Sequence, residues 1–138
     1  MIAANIAITV IVGTALALIV HQYPPATRTP MQIVGVFLLI SGFFLWTTAR
    51  FQLGKSLAVT AQAKKLVTSG LYSKIRNPIY VFGSCVIAGL ILTVGRPLYL
   101  LVFIAIIPLQ IWRTRKESSV LESAFGDEYR NYRARTWF

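Results

Sequence analysis

Two short stretches hold most of the residues whose types and spacing suit chemistry. They are LVTSGLYSKIRNPIY over residues 66–80 and RTRKESSVLESAFGDEYRNY over residues 113–132. Each is polar and adjoins an apolar run; the first opens into one and the second follows one. The groups on offer are guanidinium, carboxylate, phenol, amide, hydroxyl and backbone. The single histidine, His21, stands beside Gln22 and Tyr23 at the end of the first apolar run, where an interfacial polar cap is its ordinary role. The single cysteine, Cys85, falls inside an apolar run. A Ser-His-Asp or Cys-His device, a disulfide, a metal centre and a glycine-rich phosphate loop are therefore not expected.

What remains suits a reaction in which an activated cofactor carries the hard chemistry and the protein supplies position and electrostatics. Methyl transfer from a sulfonium is of this kind. S-adenosylmethionine presents a sulfonium, an ammonium, a carboxylate and an adenine ring. Tyr72 and Tyr80 offer aromatic faces to the cation or the ring, Glu117 offers a counter-charge to the ammonium, and the backbone around Ser69 and Gly70 offers hydrogen bonds. Arg113 and Glu117 are four residues apart and share one face of a helix. In that position Glu117 can hold a cationic cofactor group while Arg113, one turn closer to the apolar run, draws in an anionic head group. The competing reading is a plain intrahelical ion pair worth about 0.3–0.5 kcal/mol.

These groups must be positioned by helices in a membrane. Of 138 residues, 56% are hydrophobic and 13% charged, and the mean hydropathy is +0.65. That is membrane-protein composition. Uncharged runs predict four transmembrane helices over about 2–20, 31–49, 77–95 and 97–112, with a loop over 50–76 and a tail over 113–138. The first run lacks a basic flank and a cleavage pattern, and is expected to be a retained helix. The last two helices form a hairpin around Gly95-Arg96-Pro97, with Pro108 expected to bend the fourth. Asn77 and Pro78 suit an N-cap and first-turn pair, and Gly126 suits a helix end. The expected architecture is one all-α membrane-embedded domain with a C-terminal hairpin and a tail helix.

The net charge of +10 does not point to nucleic acid. Arg50, Lys55, Lys64, Lys65, Lys74 and Arg76 lie in the second connection, and Arg113, Arg115, Lys116, Arg130, Arg133 and Arg135 in the tail. By the positive-inside rule both are cytoplasmic, and with four helices both termini are as well. Basic flanks of this kind also meet anionic lipid head groups.

The first stretch, a glycine-containing membrane helix, a short hairpin and then Arg113, Glu117, Leu121, Phe125, Gly126, Tyr129 and Tyr132 together resemble the isoprenylcysteine carboxyl methyltransferase and phospholipid methyltransferase superfamily, in particular its small prokaryotic-type members. The likeness runs from about Gly54 to Tyr132. It implies an enzyme of the cytoplasmic (inner) membrane that uses S-adenosylmethionine to methylate a lipophilic acceptor, either a prenyl-cysteine-like carboxylate or a lipid head group. Positions matching the family's cofactor contacts are Leu66, Val67, Tyr72, Asn77, Pro78, Ile79, Tyr80 and Glu117. Arg113 matches the arginine beside the substrate, and Arg113 with Glu117 would carry catalysis. The chain departs from the pattern at Lys64 and Asn77, where histidine is frequent, at Ser118, where a second glutamate is common, and at Gly83, one residue late. These departures bear on the substrate more than on the reaction.

Two other classes fit parts of the chain. A small four-helix transporter or assembly subunit would explain its size, with Ser84 and Ala88 as a packing surface, but its first three apolar runs offer no ionisable group beyond Cys85 and interfacial tyrosines for coupling. A sterol-type reductase shares the C-terminal layout but needs more helices and phosphate-binding residues. The tyrosines at 72, 80, 129 and 132 also suit an interfacial belt.

Overall fold

The computed structural model describes residues 2–24, 27–54 and 66–138; Lys55, Lys64 and Lys65 lie outside them. Within these the chain is helical: α1 (Ile2–His21), α2 (Pro30–Leu53), α3 (Pro78–Val94), α4 (Phe103–Phe125) and α5 (Asp127–Arg135), with 3-10 turns at Gly70–Ser73 and Pro97–Val102. Three segments are long and apolar enough to cross a membrane: 3–21, α2, and the Pro97–Phe125 unit formed by the second 3-10 turn with α4. The apolar α3 is shorter, at 17 residues, and the chain is an integral membrane protein.

Helix starts and stops follow local chemistry. At the head of α2 the Thr29 hydroxyl accepts from the Gln32 N–H while the Gln32 side chain accepts from the Thr29 N–H, a capping box that satisfies donors the first turn leaves free. The Gln32 amide also donates to the Thr93 carbonyl at 3.2 Å, tying the start of α2 to the end of α3. Arg28 closes the end of α1, its Nε donating to the Tyr23 carbonyl at 2.7 Å and its Nη2 to that of Val20 at 3.1 Å. α2 runs four residues beyond the expected 49, because Arg50, Phe51, Gln52 and Leu53 keep helical spacing until Gly54 turns the chain at φ +47°. Asn77 holds the N-cap position of α3, but its side chain makes no capping bond. The expected helix from 97 begins instead as a 3-10 turn, and α4 then passes through Pro108 uninterrupted into the tail.

α2 and α3 form the central pair. A Cβ on Gly35 would lie 2.5 Å from the Thr93 nitrogen, one on Gly42 would lie 3.0 Å from the Cys85 Cβ, and one on Gly89 would run into the Leu39 backbone. Close approach of this kind supplies the van der Waals contact that holds helices together where lipid removes the hydrophobic drive. Of the expected Ser84–Ala88 surface, Ser84 turns toward α4. There its hydroxyl bonds the Gln110 amide at 3.1 Å.

The polar end of the bundle is closed by the tail. Leu66, Tyr129 and Tyr132 form a buried cluster on which Leu121 and Phe125 pack. The Tyr132 hydroxyl donates to the Tyr72 carbonyl at 2.7 Å. Gly126, with φ +51°, separates α4 from α5 and turns α5 back over the loop. The last residues then run beside residues 74–77: the Trp137 N–H donates to the Lys74 carbonyl at 2.7 Å, the Arg76 N–H to that of Trp137 at 2.9 Å, and the Asn77 N–H to that of Phe138 at 3.1 Å. Tyr72, Tyr129 and Tyr132 are therefore core residues of this cap and not interfacial belt aromatics.

Candidate functional site

α3 delivers Tyr80 in its first turn, and α4 delivers Arg113 and Glu117 just past its apolar portion. The Tyr80 hydroxyl donates to Glu117 Oε1 at 2.5 Å. The Arg113 guanidinium carbon lies over the same phenol ring, 5.7 Å from its centroid. One aromatic side chain thus engages both charged groups, its hydroxyl meeting the carboxylate and its face meeting the cation. Arg113 and Glu117 form no ion pair with each other, and the ion pairs among the described residues are those of Arg130 and Arg133 with Glu122 and of Arg130 with Asp127. The intrahelical pair that spacing allows is absent, because Tyr80 supplies each group with a tertiary partner. Ser84, one turn on, fixes this part of α3 by donating to the Tyr80 carbonyl at 2.9 Å.

Behind this trio stands Tyr72, whose hydroxyl is held well above the ordinary phenol range. Burial is the largest cause, followed by the negative potential of Tyr132 and Glu117, against which Arg50 pulls the other way. Arg50 is a member of the site that the sequence alone does not single out. It lies in the last turn of α2 with its guanidinium 4.9 Å from the centroid of the Trp46 ring, donates from Nη2 to the Asn5 side chain of α1 at 2.9 Å, and keeps a buried Nε without a partner among the described residues. The Trp46–Arg50 spacing of four was a usable signal, but an arginine ending an apolar run is more readily read as an orientation signal. Gln52 was also missed: its side-chain oxygen accepts from the Leu71 N–H at 2.8 Å and docks the Gly70–Ser73 turn onto α2.

The other expected cofactor residues divide in two. Leu66, Tyr72 and Pro78 are buried in the cap or against the helix start. Val67, Asn77 and Ile79 are half-buried, and Asn77 lies on the opposite side of α4 from the Tyr80–Glu117 contact. There it borders a cleft of about 700 Å³ that Ser118 and Arg115 also line. The expected positions therefore surround the start of α3 but do not form a single wall.

The groups on the Glu117 side are of kinds that can meet a cation. They are a half-buried carboxylate free of ion pairs with described residues and phenol rings, with an arginine set back over one ring. No group of three or more His, Cys, Asp or Glu side chains able to hold a metal occurs among the described residues. No curated protein and no solved structure matches the chain. A family model, phospholipid methyltransferase, matches residues 30–128, from the first residue of α2 into the first turn of α5. The match takes in Tyr80, Arg113 and Glu117 together with the helices that bring them into contact, and the chain belongs to the phospholipid methyltransferase family.

Proposed function

We propose that this protein uses S-adenosylmethionine to methylate a lipophilic acceptor at the cytoplasmic face of the membrane, with four helices spanning the bilayer and both termini inside. The observation that carries the reading is the Tyr80–Glu117 hydrogen bond with Arg113 over the same ring. When bound, S-adenosylmethionine supplies a methyl group on a positively charged sulfur. The residues fit it: the Glu117 carboxylate is available to an ammonium, and the Tyr80 and Tyr72 rings offer faces to a cation or an adenine.

In this reading Tyr80 holds the Glu117 carboxylate in one orientation, and Ser84 and Pro78 hold Tyr80. Arg113 lies one turn nearer the bilayer than Glu117 and orients an anionic acceptor group. The buried cap of Leu66, Tyr129 and Tyr132 excludes water from the loop side. An acceptor that is already a carboxylate needs no base, whereas an ammonium head group would have to pass a proton to Glu117 first. Arg113 and the basic rim favour the carboxylate, a prenyl-cysteine-like or other anionic lipid. The family match favours methyl transfer over the transporter and reductase readings.

The test is lipid extraction from cells with and without the protein after feeding isotopically labelled methionine. The expected result is one or more labelled lipids that depend on the protein and vanish in the Glu117→Gln variant. Identical labelling patterns in the two cell lines would remove the basis for this function.

A further inference from the structure

On the side of α4 away from Tyr80 lies the cleft of about 700 Å³. Four guanidinium groups, Arg76, Arg115, Arg130 and Arg133, line it with the hydroxyls of Ser118 and Ser119. Among the described residues Glu122 is the one acidic liner. It sits at 3.9 Å from Arg130 and 4.0 Å from Arg133, distances too long for strong pairing, while Arg130 is paired with Asp127 at 2.9 Å outside the cleft lining. Among the described residues Arg115 pairs with no carboxylate, and Arg76 has a buried Nε with no hydrogen-bond partner. The guanidinium groups that line the cleft offer donors to a phosphate, and a net positive cleft would repel the cation sought on the Glu117 side.

The same helix face is apolar below the cleft. Leu98, Leu101, Ile104 and Ile107 line a second groove of about 550 Å³ between the Pro97–Val102 turn and α4. Ile104, Ile107, Ile111, Arg115, Ser118 and Glu122 follow one another at spacings of three and four, so groove and cleft lie along a single stripe of α4. Its apolar part ends at Ile111, next to Trp112, Arg113, Arg115 and Lys116, where aromatic and basic residues mark head-group level. A soluble anion would match only the upper half. We propose that this stripe binds an anionic phospholipid lengthwise, with its phosphate among Arg76, Arg115 and Arg133 and an acyl chain against Ile104 and Ile107. The proposal does not depend on the Tyr80–Glu117 contact, which lies outside this lining; Asn77, an expected cofactor position, borders the cleft.

The experiment is thermal melting of the detergent-purified full chain against increasing phosphatidylglycerol in a phosphatidylcholine background, with inorganic phosphate and glycerol phosphate as soluble probes. Binding to the native state raises the melting temperature by mass action. The expected result is a saturable rise with phosphatidylglycerol and none with the soluble anions. Arg115→Gln and Arg133→Gln, both exposed positions, should each raise the half-saturating lipid fraction about fivefold. Arg96→Gln, at the other end of the bundle, should respond as the native chain does. An unchanged midpoint in Arg115→Gln and Arg133→Gln, or an equal loss in Arg96→Gln, would reduce the effect to general surface charge and overturn the proposal. A rise with inorganic phosphate as large as that with lipid would make it a soluble-anion site and overturn the lipid.

Discussion

The two sides of α4 carry opposite electrostatics on one rigid element. On one side a carboxylate, Glu117, is bonded by a phenol and the nearest arginine is held back over a ring. On the other, four guanidinium groups, one of them paired with Asp127, line a cleft with a single carboxylate among the described residues. Residues 113 and 117 share one face, and 111, 115, 118 and 122 another, which is all a helix needs to keep the two apart. The difference shows how a net charge of +10 can coexist with the cation site proposed at Glu117. The positive charge is turned away from Glu117, and where it comes near, in Arg113 and Arg50, it is engaged by Tyr80, Trp46 and Asn5.

Both sides depend on the start of α3, since it contributes Tyr80 to one and is preceded by Arg76 in the other. The largest effect is therefore expected from breaking the support of α3. Gly89→Val would push a side chain into the Leu39 backbone of α2 and should cost about 3 kcal/mol, the upper end for overpacking, because backbone and not a flexible side chain must give way. Its readout is a lower melting temperature together with loss of both cofactor and lipid responses; a melt unchanged from the native chain would contradict the close α2–α3 approach.

Tyr132→Phe should cost about 1–3 kcal/mol, because it leaves the Tyr72 carbonyl without its buried donor. Burial, with Tyr129 adding and Arg76 opposing, pushes the Tyr132 hydroxyl up to about 12 from 10.0. The folded state therefore holds this proton more tightly than the unfolded one. The hydroxyl's contribution to stability is whole below pH 10.0 and is lost as pH rises through about 12. Melts over that alkaline range should fall less steeply in Tyr132→Phe than in the native chain, and equal slopes would count against a buried hydroxyl.

The smallest effect is expected inside the membrane, where Ser84 and Gln110 join α3 to α4. A double-mutant cycle with Ser84→Ala and Gln110→Leu, read as melting free energies, should give a coupling of about 0.6 kcal/mol. A coupling near zero would mean that this bond does not set how α3 and α4 meet.

Much of this arrangement is legible in the sequence, for identifiable reasons. Uncharged runs mark the helices, and Pro30, Pro78 and Gly126 start or stop the backbone ladder, whereas the charge of Arg50 hid the last turn of α2, which runs on to Leu53. The resemblance of the two polar stretches named Tyr80, Arg113 and Glu117 in advance. It could not reveal that a phenol 37 residues away in sequence from Glu117 would displace the local Arg113–Glu117 pair, since spacing reports shared faces and not tertiary partners. Tyr129 and Tyr132 suited a membrane belt by type. Their burial became visible only when Gly126 turned α5 onto Leu66. The cleft was hidden for a similar reason: its arginines come from the loop before α3, from α4 and from α5, and spread through the sequence they look like ordinary orientation signals.

The most direct test of the cation side against the anion side is calorimetric affinity for S-adenosylhomocysteine in the native chain, Glu117→Gln and Arg115→Gln, with Arg113→Ala alongside. Loss of a charge-assisted contact from a partly buried site corresponds to a roughly ten- to hundredfold weakening. The arrangement described here predicts that loss in Glu117→Gln. Arg115→Gln should stay within about threefold of the native chain, and Arg113→Ala should bind nearly as well as native while losing turnover. Equal small effects in all three variants, or a larger loss in Arg115→Gln than in Glu117→Gln, would contradict the assignment of the cofactor to the Tyr80–Glu117 side.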